Sequence, residues 1–238
     1  SKAIIFQQSQ VREHTELAWI FECLVTVPFL ELSHAYKDKL AKGFEANAGL
    51  FNYPMLMAAD ILLYDTDVVP VGEDQRQHVE YAREAAAKFN NTFGEVFKGP
   101  KEMINKAVAV VPGTDGKKMS KSYKNTIPLF GSKDEIAKAV MSIVTDSSGG
   151  RPEYVYAIHT MFKDATSLDA LYTSHKGNYK ALKEALTEDV EKTVAPMREK
   201  YHSLTEDDVK RVLRDGSNRA REIASAKMKV VRERIGIL

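Results

Sequence analysis

The chain has 238 residues, of which 44% are hydrophobic and 28% charged, so it is long enough for one large globular domain or two smaller ones. Its formal net charge of +1 excludes a chain that is basic throughout, and any surface that binds nucleic acid must be local. The single cysteine, Cys23, excludes an internal disulfide and is typical of a reducing compartment, and its apolar neighbours predict a buried structural thiol.

No apolar run approaches the roughly 20 residues that a membrane-spanning helix needs. No signal-peptide pattern opens the chain either. We therefore expect a cytoplasmic protein with no membrane partner.

The first half of the chain alternates predicted strands with predicted helices. Three short apolar runs have the composition of buried parallel strands, and they are residues 3–6, 68–71 and 107–111. Apolar positions at helical spacing predict helices between these strands. These helices cover residues 17–25, 34–42, 53–63 and 73–90, with residues 43–52 as a loop.

The second half of the chain is predicted to contain helices only. Ser132 and Glu135 form a capping-box pattern that opens the first of them. A long helix follows, and we expect Pro196 to kink or end it. A short helix after Thr205 and a separate terminal helix over residues 220–235 complete the chain.

Strands alternating with helices, followed by helices alone, predict a parallel α/β half and then an all-α half. The predicted fold class is α/β, with a partial Rossmann-like doubly wound parallel sheet followed by an all-α helical domain. Three strands make a thin sheet for such a domain, and the first begins almost at Ser1, so we expect the chain to be truncated. The predicted parts are residues 1–112, a loop over 113–125, and residues 126–238.

The loop over residues 113–125 is called the lysine loop below. Within it, residues 117–122 bring together three lysines and two serines. Lysine is a point charge on a flexible stem that can follow a phosphate as it moves, and hydroxyls and backbone N–H groups add donors around the same anion. The alternative for a generic lysine pair is a solvated basic loop. However, residues 118–122 are identical to the KMSKS signature of class I aminoacyl-tRNA synthetases, whose loop closes over ATP.

The turn after the second predicted strand is a candidate ligand site, because ligands of open α/β sheets bind beyond the carboxyl ends of the strands. Gly72 lets a ligand approach the backbone, and the following helix offers N-terminal N–H donors. Val69 and Val71 could supply a flat apolar wall. The alternative is an ordinary connecting turn.

Met57 and Asp60 lie three residues apart on one predicted helix, in an otherwise apolar stretch. A carboxylate there is costly to bury without a donor, and a surface or capping role is the alternative. An indole ring would suit the pair, since its N–H is a donor only and a thioether packs softly on the ring.

Residues 53–64, 69–78 and 118–122 together resemble the bacterial-type tryptophanyl-tRNA synthetases, and the similarity extends over residues 6–221. The resemblance implies that tryptophan is bound by Met57, Asp60, Val69, Val71 and Gln75. It implies ATP contacts at Gly72, Glu73, Asp74, Lys118, Met119, Ser120, Lys121 and Ser122. The catalytic residues that it implies are Lys118, Ser120 and Lys121.

The resemblance also implies a two-step reaction, in which tryptophan and ATP with Mg²⁺ give tryptophanyl-adenylate and the acyl group then passes to tRNA-Trp. It implies no tightly bound cofactor and no protein metal site. A homodimer formed by helices after the first strand is typical of the family. The helical half would carry the tRNA anticodon, and from Arg198 to Leu238 eleven Lys and Arg residues stand against seven Asp and Glu residues. For any single arginine, such as Arg219 or Arg221, surface solvation is as good an interpretation.

One departure from the family concerns its His-Ile-Gly-His-like segment, which has no counterpart in this sequence and which the family places ahead of what is Ser1 here. We therefore expect that this polypeptide alone does not activate tryptophan. Two alternatives stay open. One is a tyrosyl-tRNA synthetase relative, although that family typically carries glutamine where Met57 stands. The other is a non-catalytic dimerising tRNA-binding module.

Overall fold

The computed structural model describes residues 3–104, 111–145 and 150–237, with the backbone alone at Asp74. The chain divides into two compact units. The first unit consists of Ser1–Ala107 together with Glu206–Leu238, and the second unit is Val108–Thr205.

The first unit is mostly helical, with one short parallel sheet. Its helices are α1 (Glu13–Glu22), α2 (Val27–Leu30), α3 (His34–Ala41), α4 (Ala48–Leu62), α5 (Arg76–Phe93) and α10 (Glu206–Ile235). Its strands are β1 (Val68–Pro70) and β2 (Lys101–Met103). Single 3₁₀ turns cover Gln8–Gln10 and Glu73–Gln75.

The sheet pairs β1 and β2 in parallel, with Val69 opposite Glu102. β1 confirms the second predicted strand. β2 was not predicted, because Lys101-Glu102-Met103 is not an apolar run and only its pairing with β1 makes it a strand. The third predicted strand, residues 107–111, lies outside the described residues except for Val111.

The first predicted strand is wrong, since residues 3–6 are not assigned to a strand. An apolar run becomes a strand only where a neighbouring strand completes its hydrogen bonds. Here Ile4 and Phe6 instead pack their side chains against the core of the first unit. Between them, the carbonyl oxygen of Ile5 lies so close to Gly216 of α10 that a Cβ atom there would be 1.9 Å away.

α10 runs unbroken from residue 206 to 235, so the prediction of two separate helices at its position is wrong. Glycine inside a helix usually costs stability relative to alanine. At Gly216 the missing side chain is what allows the N-terminal segment to approach, and the helix continues through it. α9 likewise continues through Pro196, which does not end it.

α4 begins at Ala48, five residues before the predicted start, because Asn47 caps it. The Asn47 side chain accepts a hydrogen bond from Leu50 N across 2.9 Å, which satisfies one of the free N–H groups of the first turn. α3 confirms the predicted helix that follows Ser33. Cys23, in contrast, is exposed at the end of α1 rather than buried.

The core of the first unit lies among α1, α4, α5 and α10. Its fully buried large side chains are Leu17, Phe21, Met55, Leu62, Leu63 and Phe89. An ion pair at the edge of this core joins the two ends of the chain, since Arg232 Nε of α10 donates to Glu16 Oε1 of α1 across 2.7 Å. The arginine holds the pKa of Glu16 below its ordinary value.

The second unit contains helices α6 (Lys133–Met141), α7 (Glu153–His159), α8 (Ala165–Ser174) and α9 (Tyr179–Ser203), and a 3₁₀ turn at Lys121–Tyr123. The predicted capping box is confirmed, because Ser132 N donates to Glu135 Oε2 across 2.7 Å and Ser132 Oγ accepts from Glu135 N. A separate apolar core, built from all four helices α6 to α9, holds this unit together.

Candidate active site

The lysine loop forms a tight hairpin in the second unit. Pro112 and Lys118 make an antiparallel bridge at its base. Beside the bridge, Met119 N donates to Val111 O across 2.8 Å. The first half of the signature is therefore fixed to the strand-like segment that enters the loop.

Asn125 lies at the centre of this hairpin and is only 2% exposed. Its Oδ1 accepts a hydrogen bond from Ser120 N across 2.8 Å. Its Nδ2 donates to Asp115 Oδ1 across 2.7 Å and to Lys118 O across 3.2 Å. Its carbonyl oxygen accepts from Thr114 N across 2.9 Å. One buried amide thus connects both sides of the loop.

Asp115 is the acidic member of the loop. The hydrogen bond from Asn125, assisted by Lys117 N, holds the pKa of this carboxyl below its ordinary value. Its ionised form is bound inside the hairpin, where it orders the turn. Lys118 and Lys121 are exposed, and in the described part of the chain no carboxylate lies within ion-pair distance of either ammonium.

The loop is also attached to the helical core of the second unit. Thr114 O accepts from Val144 N across 2.9 Å, just beyond the end of α6. That end is capped by the buried ammonium of Lys183, which donates to Met141 O across 3.0 Å and to Ile143 O across 2.6 Å. Burial lowers the pKa of Lys183. The base of the loop is therefore anchored, while Lys118 and Lys121 have no carboxylate partner among the residues that the structure describes.

Asp60 lies near the end of α4 in the first unit, with its side chain 37% exposed. Its Oδ1 accepts a hydrogen bond from Gln8 Nε2 across 2.6 Å. The same oxygen lies 2.6 Å from Nδ1 of His14, a buried residue of α1. The other ring nitrogen of His14, Nε2, is 2.8 Å from the hydroxyl of Tyr64.

The direction of these hydrogen bonds follows from the Asp60 carboxylate, which only accepts, together with the Tyr64 hydroxyl, which can donate. Burial, with the negative charge of Asp60 next in importance, raises the pKa of Tyr64 to about 12, so the hydroxyl keeps its proton. We assign that proton to the bond with His14 Nε2, which leaves the Nδ1 proton to donate to Asp60. Within the described residues no group donates to Asp60 Oδ2.

The remaining residues predicted to bind tryptophan also lie in the first unit. Met57 is one helical turn before Asp60, and it packs with Val69 against the core of this unit. Val71 is half-buried directly after β1, and its N donates to Met103 O across 3.1 Å. Gln75 ends the 3₁₀ turn that precedes α5.

The residues predicted to contact ATP divide between the two units. Gly72 and Glu73 are exposed at the 3₁₀ turn before α5, and Glu73 forms an ion pair with Arg76 across 3.2 Å. The side chain of Asp74 lies outside the described part of the structure. The other predicted ATP contacts, Lys118–Ser122, belong to the second unit.

Four residues that contact the predicted site were missed from the sequence, and they are Gln8, His14, Tyr64 and Asn125. A signal existed for His14, which shares the apolar stripe of α1 with Leu17 and Phe21 and is a polar residue on a buried face. Asn125 carried no such signal, because its partners are backbone groups of the loop and the side chain of Asp115, ten residues earlier.

Comparison with known proteins shows the family to which the chain is similar. The model of the family described as tRNA synthetases class I (W and Y) matches residues 1–213. The chain belongs to this family. Its mostly helical architecture with a short parallel sheet confirms the predicted α/β class.

Individual relatives within this synthetase family are similar over nearly the whole chain. The tryptophan–tRNA ligase of Fusobacterium nucleatum is 45% identical over 249 residues, which cover 100% of this chain and 77% of the relative. The tryptophan–tRNA ligase of Campylobacter jejuni is 44% identical over 247 residues, with 99% and 77% covered.

Solved structures of synthetases give the same result. The crystal structure of tryptophanyl-tRNA synthetase from Campylobacter jejuni complexed with ADP and tryptophan matches with a TM-score of 0.86 and 45% identity, over 98% of this chain and 76% of that one. A tyrosyl-tRNA synthetase from Aeropyrum pernix has a TM-score of 0.56 at 18% identity over 88% and 64% of the two chains, which shows a shared fold alone.

The described residues, 3–104, 111–145 and 150–237, have two further properties. None of their helices is long and apolar enough to cross a membrane. They also contain no group of three His, Cys, Asp or Glu side chains that could hold a metal ion.

Proposed function

We propose that this synthetase is a tryptophan–tRNA ligase, which joins tryptophan to ATP as tryptophanyl-adenylate and then transfers the acyl group to tRNA. The observation that carries the proposal is the Asp60 carboxylate. One of its oxygens is held by protein donors, and the other is left to accept from a substrate. An indole N–H is a donor only, and it matches a free carboxylate oxygen.

The residues around Asp60 suit a large, weakly polar ring. Met57 offers a polarisable thioether one turn away. Val69 and Val71, two positions apart on extended backbone, offer side chains on one face. Gln75 would bind the polar end of the amino acid. The relative from Campylobacter jejuni with 45% identity was crystallised with tryptophan and ADP, which supports the same pair of ligands here.

The lysine loop would act on ATP, which arrives as a complex with Mg²⁺. The tryptophan carboxylate attacks the α-phosphate, and pyrophosphate leaves with its negative charge increasing. The ammonium groups of Lys118 and Lys121, which pair with no carboxylate among the described residues, would stabilise that charge, assisted by Ser120 and Ser122. Such a site contributes through positioning and charge stabilisation rather than through a covalent intermediate.

The tRNA partner is assigned to the helical surfaces of the chain. α10 carries exposed cations on one face, and they are Lys210, Arg214 and Arg221. Exposed cations at successive turns bind a phosphate backbone through charge. Because tRNA charging supplies translation, we place the protein in the cytoplasm.

A second copy of the chain is the partner proposed for the outer face of α1 to α3. Large apolar side chains are exposed there, with Trp19 at 67%, and the others are Val27, Leu32, Leu40 and Phe44. Clustered exposed apolar groups of this kind mark protein interfaces. The proposed assembly is a homodimer.

The test of the proposed function compares Asp60→Asn with the unchanged protein, in the complete protein. Tryptophan-dependent exchange of pyrophosphate into ATP, with tyrosine as the competing substrate, measures both activity and specificity. We expect exchange with tryptophan and not with tyrosine, and a large loss in the variant. The control is Asp67→Asn, because Asp67 is an exposed carboxylate. Equal exchange with both amino acids, or an unaffected Asp60→Asn variant, would contradict the proposal.

A further inference from the structure

We propose that His14 is a positioning residue for substrate selection, which orients the Asp60 carboxylate so that a single oxygen faces the substrate ring. The inference rests on the proposed function, because it takes Asp60 as the acceptor for the indole N–H.

The first step is that the two carboxylate oxygens of Asp60 accept different numbers of hydrogen bonds from the protein. Oδ1 accepts from both Gln8 and His14, each at 2.6 Å, whereas Oδ2 has no donor among the described residues. Charge-assisted hydrogen bonds of this length are the strong ones. Without them, the terminal torsion of an aspartate is broad and roughly two-fold, so either oxygen could face the substrate.

The second step is the reason for a histidine. His14 is 2% exposed, and Nε2 of its ring is occupied by the Tyr64 hydroxyl. A carboxylate oxygen only accepts, so Nδ1, the nitrogen that faces Asp60, carries the ring proton, and the Tyr64 hydroxyl donates to Nε2. Asp60 and Tyr64 thus hold this tautomer from the two sides of the ring, and His14 orients the carboxylate. Ligand groups in protein sites are commonly oriented by such second partners.

The third step is that the elements carrying these residues are packed against one another. His14 is fixed by α1, whereas Asp60 lies near the end of α4 and Tyr64 follows it four positions later, just beyond that helix. The phenyl ring of Phe6 stacks at a tilt beside both His14 and Tyr64, with centroids 5.9 Å and 5.7 Å away. The network therefore stands on two packed helices, and it is preorganised before a substrate binds.

The experiment measures the dissociation constants of two ligands for each variant of the complete protein. One ligand is tryptophan, and the other is its analogue with sulfur in place of the indole N–H, 3-benzothienylalanine. The two rings have nearly the same shape, so the ratio of their affinities reports the hydrogen bond to Asp60. A histidine that only supports packing would change both affinities together and leave the ratio unchanged.

Two substitutions separate the two ring nitrogens. His14→Asn places an amide nitrogen near the position of Nδ1, and we expect the ratio to stay within about threefold of the unchanged protein. His14→Gln places its amide near Nε2 and offers no matched donor to Asp60, and we expect the ratio to fall by about tenfold. Tyr64→Phe removes only a hydroxyl, and we expect the ratio to fall in the same direction.

His34→Gln is the matched control, because His34 is an exposed histidine on α3, and it should leave the ratio unchanged. If His14→Gln weakens both ligands equally, or if Tyr64→Phe retains the full ratio, the positioning role is refuted. If His14→Gln does not fold, His14→Asn and Tyr64→Phe decide. If the unchanged protein itself does not prefer tryptophan to the analogue, the proposed role of Asp60 is wrong. That result is distinct from the results that refute only the positioning role of His14.

Discussion

Asn125 Nδ2 donates to Asp115 Oδ1 across 2.7 Å, and this bond connects the segment after the signature lysines with the turn before them. The same amide accepts from Ser120 N through Oδ1. The shape of the lysine loop therefore depends on one buried side chain outside the five-residue signature.

Replacing Asn125 by alanine should impair catalysis without weakening tryptophan binding. The change removes the acceptor of Ser120 N and the amide that donates to Asp115, which keeps only its bond from Lys117 N. A partly buried group without its hydrogen bond costs about 1–3 kcal/mol. We expect kcat for adenylate formation to fall by about 10- to 100-fold, measured by pyrophosphate exchange. Calorimetry should show an unchanged Kd for tryptophan. Thr126→Ala is the adjacent control, and a parallel loss in that variant would argue against a specific role for Asn125.

Removing the charge at Lys121 should lower turnover far more than it lowers affinity for tryptophan. The ammonium has no carboxylate partner among the described residues, so its charge is available to the leaving pyrophosphate. Losing one preorganised charge contact of this kind costs about 10²- to 10³-fold in kcat. The measurement is single-turnover adenylate formation in Lys121→Ala, with Lys124→Ala as the control from the same loop. A large rise in the Kd for tryptophan with intact turnover would contradict the assignment.

Gly216→Ala should destabilise the protein, although glycine-to-alanine changes inside helices usually stabilise. The new Cβ would stand 1.9 Å from the Ile5 carbonyl oxygen, which is backbone and cannot rotate away. We expect a loss of about 1–3 kcal/mol in the free energy of unfolding, typical of overpacking, measured by urea denaturation. Asn218→Ala, an exposed position on the same helix, is the control. An unchanged or increased stability in Gly216→Ala would show that the N-terminal segment does not contact α10.

The Glu16–Arg232 ion pair should make stability depend on pH in the acidic range. Arg232, through its hydrogen bonds, depresses the pKa of Glu16 below the ordinary value of 4.5. A carboxyl with a depressed pKa contributes stability that is complete above its unfolded pKa and is lost as the pH falls through its folded pKa. Because the pair is partly exposed, we expect about 1 kcal/mol at neutral pH.

The measurement compares Glu16→Gln with the unchanged protein in urea denaturation between about pH 7 and pH 3. The difference in the free energy of unfolding should be constant above about pH 5 and should shrink below it. Glu222→Gln, at an exposed position of α10, should show no such dependence. A difference that grows on acidification would refute the assignment of the pair.

Placing a charge at Trp19 should separate the proposed homodimer. The indole is 67% exposed, and burial of an aromatic ring dominates the free energy of many interfaces. We expect Trp19→Glu to sediment as a monomer at concentrations where the unchanged protein is a dimer, while its circular dichroism is retained. Tyr123→Glu, at an exposed aromatic of the second unit, is the control. A variant that stays dimeric would place the interface elsewhere.

The sequence by itself determined the features that depend on neighbouring residues. The capping box at Ser132 forms because both of its partners lie within one turn. The strand at residues 68–70 and the α3 helix likewise follow from local composition. The signature over residues 118–122 and the helix with Met57 and Asp60 were also sufficient to predict the family that the comparisons show.

Only the tertiary structure decided the features that join distant parts of the chain. Residues 3–6 have strand composition, but they pair with no strand in the part of the chain that the structure describes. Gly216 is accommodated inside a helix because a backbone segment more than 200 residues earlier lies against it. The partners of Asp60 come from residues about 50 positions earlier. The pattern of residues along the chain predicts which faces of a helix or strand are apolar. A hydrogen bond between distant residues depends on where their side chains lie in space, and the packing of the helices determines those positions.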